Sequence, residues 1–145
     1  MISTCILAAF FMTSTAPYVC ADLPDVSGYN LKVTAYDHAL GGHNCMEPCH
    51  LTAVGYVADE WYGRGAGCPL ELLKARAVVS FADRSFPCID TGGAVLVDHE
   101  REWIRVDLLW ELHDETGAYS LPDDAPWFIH TEIPAGEYSI GLTGW

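Results

Sequence analysis

The sequence predicts a mostly β domain, a small six-stranded barrel with one or two short helices. Three features of the 145-residue chain support this fold class. Apolar and polar residues alternate in several short segments, which is the pattern of half-buried strands. Many of the 13 glycines and eight prolines fall between these segments and mark turns. Helical periodicity is confined to single turns, so we expect the strands to pack as a closed sheet.

The elements of the first half follow from alternation and from breaks at glycine and proline. Residues 31–36 alternate apolar and polar side chains and predict a strand. Residues 51–57 are β-prone, although Gly55 interrupts them. Residues 70–74 follow a glycine-rich loop and predict one helical turn. Residues 75–81 alternate again and predict the next strand.

The centre of the chain carries the clearest strand. Residues 88–90 and 94–97 predict two short strands on either side of a bend at Gly92-Gly93. Residues 103–110 alternate over their whole length, with isoleucine, valine, leucine and tryptophan on one face. This last segment therefore predicts a strand with one apolar face.

The C-terminal part predicts a short helix and two more strands. Residues 111–116 suit the helix, and residues 127–131 and 137–142 suit the strands. These strands belong to a tail, residues 121–145, that begins with a segment rich in proline and aspartate. The length of the chain and the lack of an internal repeat favour one domain.

The composition excludes several classes of partner. Seven Lys and Arg against 20 Asp and Glu give a formal net charge of −13. Such a surface repels nucleic acid and anionic lipid. Because the acids lack an aspartate-rich calcium-loop spacing, we interpret the acidity as a solubilising surface or an adaptation to salt, and cation binding is the alternative. We expect a monomer that needs neither a cofactor nor a metal ion.

The first 21 residues have the features of a secretory signal peptide. Residues 6–12 form an apolar run of signal-core length, which is too short to span a bilayer. Residues 19–21 include small side chains suited to cleavage, which would leave residues 22–145 in the periplasm or outside the cell. Because no Lys or Arg precedes the apolar run, a buried N-terminal strand or helix is the alternative.

Export implies disulfides. The cysteines of the mature region are Cys45, Cys49, Cys68 and Cys88. An even number in an oxidising compartment predicts two bridges, and the sequence allows three pairings. We favour Cys45–Cys49 with Cys68–Cys88, and the second bridge closes a loop of about 20 residues and stabilises the fold by about 3 kcal/mol. A zinc site that combines the first two cysteines with two neighbouring histidines is the alternative, although its spacing is uncommon.

Five short motifs follow one another between residues 31 and 112. They are Thr34-Ala35-Tyr36, Thr52-Ala53-Val54-Gly55, Gly67-Cys68-Pro69, Asp90-Thr91-Gly92-Gly93-Ala94-Val95 and Arg105-Val106-Asp107-Leu108-Leu109-Trp110. This order resembles the three-aspartate domain, the family that includes the catalytic barrel of membrane-bound lytic transglycosylase A and small exported relatives. The fourth motif, with the Val-Asp-Leu of the fifth, is the most specific part of the resemblance. The family implies a double-psi β-barrel.

The resemblance also implies an activity and two acids. The family cleaves the glycan strand of peptidoglycan without water and leaves a 1,6-anhydro sugar. Its proton-transfer aspartate corresponds to Asp107, and the aspartate that supports the site corresponds to Asp90. The family's first aspartate has no counterpart, because Gly67-Cys68-Pro69 occupies its place. An insertion at residues 98–102 stretches the spacing between the last two motifs, and the tail has no counterpart.

The chemistry itself requires few acids. A lytic enzyme uses the substrate's own 6-hydroxyl as nucleophile, so one carboxyl serves first as acid and then as base. A second carboxylate near an aspartate favours its protonated form, whereas a nearby arginine favours the ionised form. Arg105 lies on the same strand face as Asp107. The alternative is therefore structural, with Asp107 paired to Arg105 and Asp90 capping the Gly92-Gly93 turn.

We expect aromatic and small residues near these acids to line a substrate groove. Trp61 and Tyr62 lie in a glycine-rich loop, which suits a groove wall, and ordinary packing is the alternative for each aromatic. The predicted substrate-binding residues are Tyr36, Trp61, Tyr62, Thr91, Gly92, Gly93 and Arg105.

Three functions compete. The main hypothesis is an exported lytic transglycosylase-like enzyme whose partner is peptidoglycan or another glycan. The second is a non-catalytic cell-wall or carbohydrate-binding module of expansin-like type, favoured by the missing acid and the many aromatics. The third is a disulfide-stabilised secreted protein that binds another protein, favoured by the acidic surface.

Overall fold

The computed structural model describes residues 22–40 and 50–142. Its strands and single α-helix are, in chain order, β1 (Asn30–Tyr36), β2 (Ala66–Gly67), α1 (Leu70–Lys74), β3 (Ala77–Phe81), β4 (Arg84–Asp90), β5 (Val97–Asp98), β6 (Trp103–Leu109), β7 (Thr131–Ile133) and β8 (Ser139–Leu142). Two short 3₁₀ helices, His38–Leu40 and Ala58–Trp61, lie between β1 and β2. The predicted signal peptide, residues 1–21, lies outside the described residues, as do Cys45 and Cys49.

The prediction of a mostly β domain is confirmed, with eight strands where six were expected. The strands form one mixed sheet in the order β7-β1-β6-β2-β4-β3-β8, and β5 pairs with β6. Two pairs, β1 with β6 and β2 with β4, are parallel. Within residues 22–40 and 50–142 the path runs from β7 to β8 without a pairing between these two ends.

The parallel pair β1–β6 is the longest strand pairing in the sheet. Its register joins seven residue pairs, and the partners Thr34 and Asp107 are 73 residues apart in the sequence. Alternation decides which side chains are buried: Leu31 and Val33 of β1 and Val106 of β6 are at most 1% exposed. These apolar faces direct the intervening polar residues of both strands to the opposite side of the sheet.

Two apolar clusters flank the sheet. The larger one includes the rings of Phe81, Phe86 and Phe128, which contact one another with centroids 5.2–6.0 Å apart. The smaller one consists of buried Ala58, Ile89 and Leu109, with Tyr36, Val54, Tyr56, Trp61 and Tyr62 packed against it. The smaller cluster lies under the candidate site described below.

Four predicted elements are wrong. Of the strand expected at residues 94–97, only Val97 lies in a strand, as the first residue of β5. Residues 51–57 form a turn closed by one bridge between Leu51 and Val57, with Gly55 at φ +87°. Residues 111–116 are not helical, because the Asp114 side chain bonds locally and closes a turn. The chain from 127 to 130 is also a turn, and β7 begins only after His130 at φ +61°. In the described ranges, every helix falls short of the length and apolarity that a membrane crossing requires.

Candidate active site

Gly67 of β2 lies between the two predicted catalytic acids. It is the register partner of Asp107 on β6 and of Asp90 on β4, where a bulge shifts the parallel pairing by one residue. Because adjacent strands are separated by about 4.8 Å, the Cα atoms of the two acids lie roughly 10 Å apart across β2. The sheet therefore brings both acids to one level of three neighbouring strands.

Tyr36 connects the two acids from the end of β1. Its hydroxyl donates a 2.7 Å hydrogen bond to Oδ2 of Asp90. Its ring lies over Gly67, where an added Cβ would come within 3.6 Å of both Tyr36 Cε1 and Asp107 Cβ. Burial raises the pKa of Tyr36, and the negative charges of Asp90 and Asp107 raise it further. The hydroxyl therefore keeps its proton and remains a donor.

Asp90 is held by three donors. Oδ1 accepts from the backbone N–H groups of Ala53 at 2.9 Å and of Thr91 at 3.0 Å, and Oδ2 accepts from Tyr36. Both oxygens are thus bonded and the carboxylate has one orientation. The alternative in which Asp90 caps the Gly92-Gly93 turn is not seen in these bonds, since the donors are Ala53, Thr91 and Tyr36.

Asp107 has one bonded and one open oxygen. The Thr34 hydroxyl, on the register partner, donates to Oδ1. In the described part of the chain Oδ2 accepts no hydrogen bond, and it is not buried. The alternative pair with Arg105 is not formed, since Arg105 Nε approaches the Thr34 hydroxyl at 3.4 Å instead.

Two of the other predicted site residues make contacts that stabilise the fold. Trp61 stacks on Tyr56 with ring centroids 4.9 Å apart, and the Thr91 hydroxyl donates to the Cys68 carbonyl at 2.8 Å. Both contacts stabilise local structure. Gly92 is half-buried and Gly93 is exposed.

The predicted disulfide between Cys68 and Cys88 is confirmed. It joins β2 to β4 with an S–S distance of 2.10 Å and closes a sequence separation of 20 residues. Cys68 directly follows Gly67, so the bridge fixes the two strands that position Asp90 and the gap between the acids.

A second polar cluster lies immediately after Tyr36, around the buried side chain of Asp37. Oδ1 accepts from the Tyr62 hydroxyl at 2.6 Å and from the Ala39 N–H at 2.9 Å. Oδ2 accepts from the Leu112 N–H at 2.7 Å and is 2.5 Å from Nδ1 of His113. One carboxylate therefore joins the end of β1, the segment after the second 3₁₀ helix and the segment after β6.

The hydrogen bonds of this second cluster shift the pKa values of Asp37 and His113. Burial on its own favours the protonated acid, but the bonds from Tyr62, His113 and the backbone outweigh it and lower the pKa of Asp37. The bond to Asp37 raises the pKa of His113. His38 extends the chain of contacts, with Nδ1 2.9 Å from the Tyr62 hydroxyl and Nε2 3.0 Å from an oxygen of Asp59.

Sequence reasoning missed this cluster. Its histidines, His38 and His113, have side chains that are only 13% and 25% exposed. Tyr62 was expected in a substrate groove, and its hydroxyl is instead bonded to Asp37. The sole signal in the sequence is an acid directly after a strand, which is too common to indicate a buried hub.

An open cleft of about 740 Å³ lies beside the second cluster. Among the described residues, the lining comes from the segment between Trp110 and Asp124 and includes His113, but neither Asp90 nor Asp107. In the described ranges, no group of three or more His, Cys, Asp or Glu side chains is arranged to hold a metal ion.

Comparison of the chain with protein-family models, with curated proteins and with solved structures gives no match.

Proposed function

We propose that the chain is an exported peptidoglycan-active protein that cleaves the glycan strand as a lytic transglycosylase does. The observation that carries this proposal is the shared register partner of the two acids: Gly67 pairs with both Asp90 and Asp107, and Tyr36 lies between them. Two acids from different strands thus lie at one level of the sheet, on the segments that carry the resemblance to the three-aspartate domain.

Asp107 is the proposed general acid and base. Its open Oδ2 donates a proton to the glycosidic oxygen as the bond from that oxygen to the sugar C1 breaks. The resulting carboxylate then takes the proton of the substrate's 6-hydroxyl, whose oxygen bonds to C1 and closes the 1,6-anhydro ring. The carboxyl group is restored and no water is consumed, so a single acid suffices.

Asp90 and Tyr36 have supporting roles in this proposal. Three donors fix the Asp90 carboxylate, which offers a preorganised negative charge to the positive charge that develops at C1. The Tyr36 hydroxyl orients that carboxylate because it keeps its proton. Thr34 does the same for Oδ1 of Asp107.

The double-psi barrel is part of the same proposal. Two parallel strand pairs whose members are separated by intervening strands, β1 with β6 and β2 with β4, favour it over a simple meander. Secretion is supported by the Cys68–Cys88 bridge, since disulfides persist in oxidising compartments.

A non-catalytic glycan-binding module is the second candidate. It is favoured by one observation: the place of the family's first aspartate is occupied by Gly67 and by Cys68, which is committed to a disulfide. This leaves the site with two acids where the family has three.

Digestion of purified sacculi tests the proposal. Residues 22–145 of the wild type are expected to release anhydro-muropeptides, detected by mass spectrometry. Asp107→Asn is expected to reduce the rate by about 100- to 10,000-fold, the usual contribution of a general acid. Asp83→Asn is the matched control, because Asp83 lies in an exposed turn and is expected to leave the rate unchanged.

Two outcomes would reject cleavage. One is a wild-type protein that releases nothing, and the other is an Asp107→Asn variant as active as Asp83→Asn. Retention of the wild type on sacculi without any release supports the binding module instead, and failure to bind sacculi counts against both candidates.

A further inference from the structure

Two positive side chains lie next to each other on the polar face of the β1–β6 pair. Lys32 and Arg105 are register partners, which places their Cα atoms about 4.8 Å apart. They are two of the chain's seven basic residues, against 20 acidic ones. Two like charges at this separation repel each other, so their placement does not by itself stabilise the sheet.

The neighbouring acids do not neutralise this pair. Among the residues that the structure describes, neither Lys32 nor Arg105 forms an ion pair. Glu132 of β7 is the other register partner of Lys32, but its carboxylate accepts a 2.9 Å hydrogen bond from the Asn30 side chain. Asp107 follows Arg105 on the same face of β6 and is bonded to Thr34 instead. The positive charge of the pair is therefore available to an anion.

The pair also has hydrogen-bond donors to offer. Lys32 Nζ lies over the ring of Trp103, 4.4 Å from its centroid, and a ring accepts none of the ammonium's strong hydrogen bonds. Arg105 Nε approaches the Thr34 hydroxyl at 3.4 Å, which leaves both terminal NH₂ groups of the guanidinium without an acceptor in the described ranges. Lys32 and Arg105 are both half-buried, so an anion between them is partly shielded from water. Such shielding strengthens the attraction of opposite charges.

The pair lies one step along the strands from Asp107. Arg105 and Asp107 are two residues apart on one face of β6, which is roughly 6.6 Å along the strand. Thr34 links them, because its hydroxyl donates to Oδ1 of Asp107 and accepts from Arg105. This separation is comparable with the length of one sugar residue. A glycan strand with its scissile oxygen at Asp107 therefore brings a substituent of the neighbouring sugar to the pair.

We propose that Lys32 and Arg105 form a subsite for a carboxylate carried by the glycan strand, beside the bond at Asp107. The subsite rests on the proposed function for the position of the strand. Ammonium and guanidinium groups donate charge-assisted hydrogen bonds to a carboxylate, which are stronger than those to a neutral group. In peptidoglycan this group is the lactyl carboxylate of a muramic acid or the carboxylate of a peptide attached to it. The two sources present the same chemistry to the pair.

Calorimetric titration with three matched tetrasaccharides of alternating N-acetylglucosamine and N-acetylmuramic acid tests the subsite. The Asp107→Asn protein is the parent, so that each probe stays intact. One probe has free lactyl carboxylates, the second has the same groups as neutral methyl amides, and the third carries alanine there, which moves the carboxylate outward. The parent is expected to bind a carboxylate probe roughly tenfold or more tighter than the methyl amide. The tighter of the two carboxylate probes identifies the source.

Adding Lys32→Gln or Arg105→Gln to the parent removes one positive charge from the subsite. Each is expected to weaken binding of the carboxylate probe roughly tenfold and to change binding of the methyl amide little, so the preference is lost. Lys74→Gln is the matched control, because it removes the same charge from an exposed position on α1, and it is expected to keep the preference. Thermal unfolding checks that each variant is folded.

Three results would overturn the subsite. They are absence of binding by all three probes, equal affinity of the parent for the methyl amide and both carboxylates, and a preference that survives in both Lys32→Gln and Arg105→Gln. A loss of preference in Lys74→Gln equal to that in the two subsite variants also counts against it, since net charge alone then explains the effect.

The sacculus experiment gives a separate answer. Cleavage of sacculi by the wild type, together with equal affinity of the parent for the three probes, overturns the subsite and leaves the activity in place. A carboxylate preference that depends on Lys32 and Arg105, without any cleavage by the wild type, supports the subsite and rejects the activity.

Discussion

Replacing Asp37 with Asn tests the second polar cluster, in which the buried Asp37 carboxylate is the hub that accepts all the bonds. The carboxylate accepts bonds from Tyr62, Ala39, Leu112 and His113, and its side chain has no exposed surface. Asn keeps one of the two acceptor oxygens and turns an NH₂ group toward the other two donors. Each buried donor left without an acceptor costs about 1–3 kcal/mol, so the substitution is expected to lower the free energy of unfolding by about 2–6 kcal/mol.

The loss of stability caused by Asp37→Asn depends on pH because both Asp37 and His113 change charge with pH. The pKa of His113 is raised above 6.5, so its contribution to stability is fully present below pH 6.5 and is lost as the pH rises through the raised value. The pKa of Asp37 is lowered below 3.8, so its contribution is present above pH 3.8 and is lost as the pH falls through the lowered value. The difference in the free energy of unfolding between wild type and Asp37→Asn is therefore expected to be largest between pH 3.8 and pH 6.5.

Urea unfolding followed by tryptophan fluorescence measures this difference at about pH 5 and about pH 9. Asp83→Asn is again the control, because Asp83 is exposed at φ +57°, a conformation that Asn accommodates, and the change is expected to stay within about 0.5 kcal/mol. A cost for Asp37→Asn no greater than that of the control, or the same cost at both pH values, would refute the hub as a charged network.

Other substitutions test the packing beneath the site. Replacing Cys68 and Cys88 together with Ser is expected to lower the free energy of unfolding by about 3 kcal/mol, and wild type unfolded in urea with a reductant should match the double variant. Gly65→Ala is expected to cost about 1–3 kcal/mol, since its Cβ would come within 2.3 Å of Cδ1 of fully buried Ile89. Gly93→Ala, which meets open space, should differ little from wild type in thermal unfolding. Equal stability of the two alanine variants would contradict the close contact at Ile89.

The elements that were predicted correctly are those that the sequence within the element itself determines. β6 and β1 follow from strict alternation, and α1 follows from apolar residues bounded by Pro69 and by a change of period. The wrong segments are those in which one residue redirects the backbone. Gly55 turns a β-prone stretch back on itself, and Asp114 bonds its own backbone in competition with a helix.

The two polar sites differ in how far the sequence could predict them. Asp90 and Asp107 lie in recognisable motifs, and their meeting across Gly67 required only the order of the strands. The hub at Asp37 depends on donors that are up to 76 residues away, and each donor is unremarkable in its own surroundings. Contacts of this kind are fixed by the tertiary pairing of β1 with β6 and leave no trace in either segment alone.

The interleaving of the strands has a consequence for how the protein is made. β1 is among the first elements of the described chain, yet its parallel partner β6 ends only at Leu109. The longest strand pairing therefore cannot form until most of the polypeptide exists. Such distant pairings make folding slow and leave strand edges open in the meantime. A nascent chain stopped after β4 would hold its disulfide and still lack a sheet for β1 to join, and the unpaired edge would be a site for aggregation.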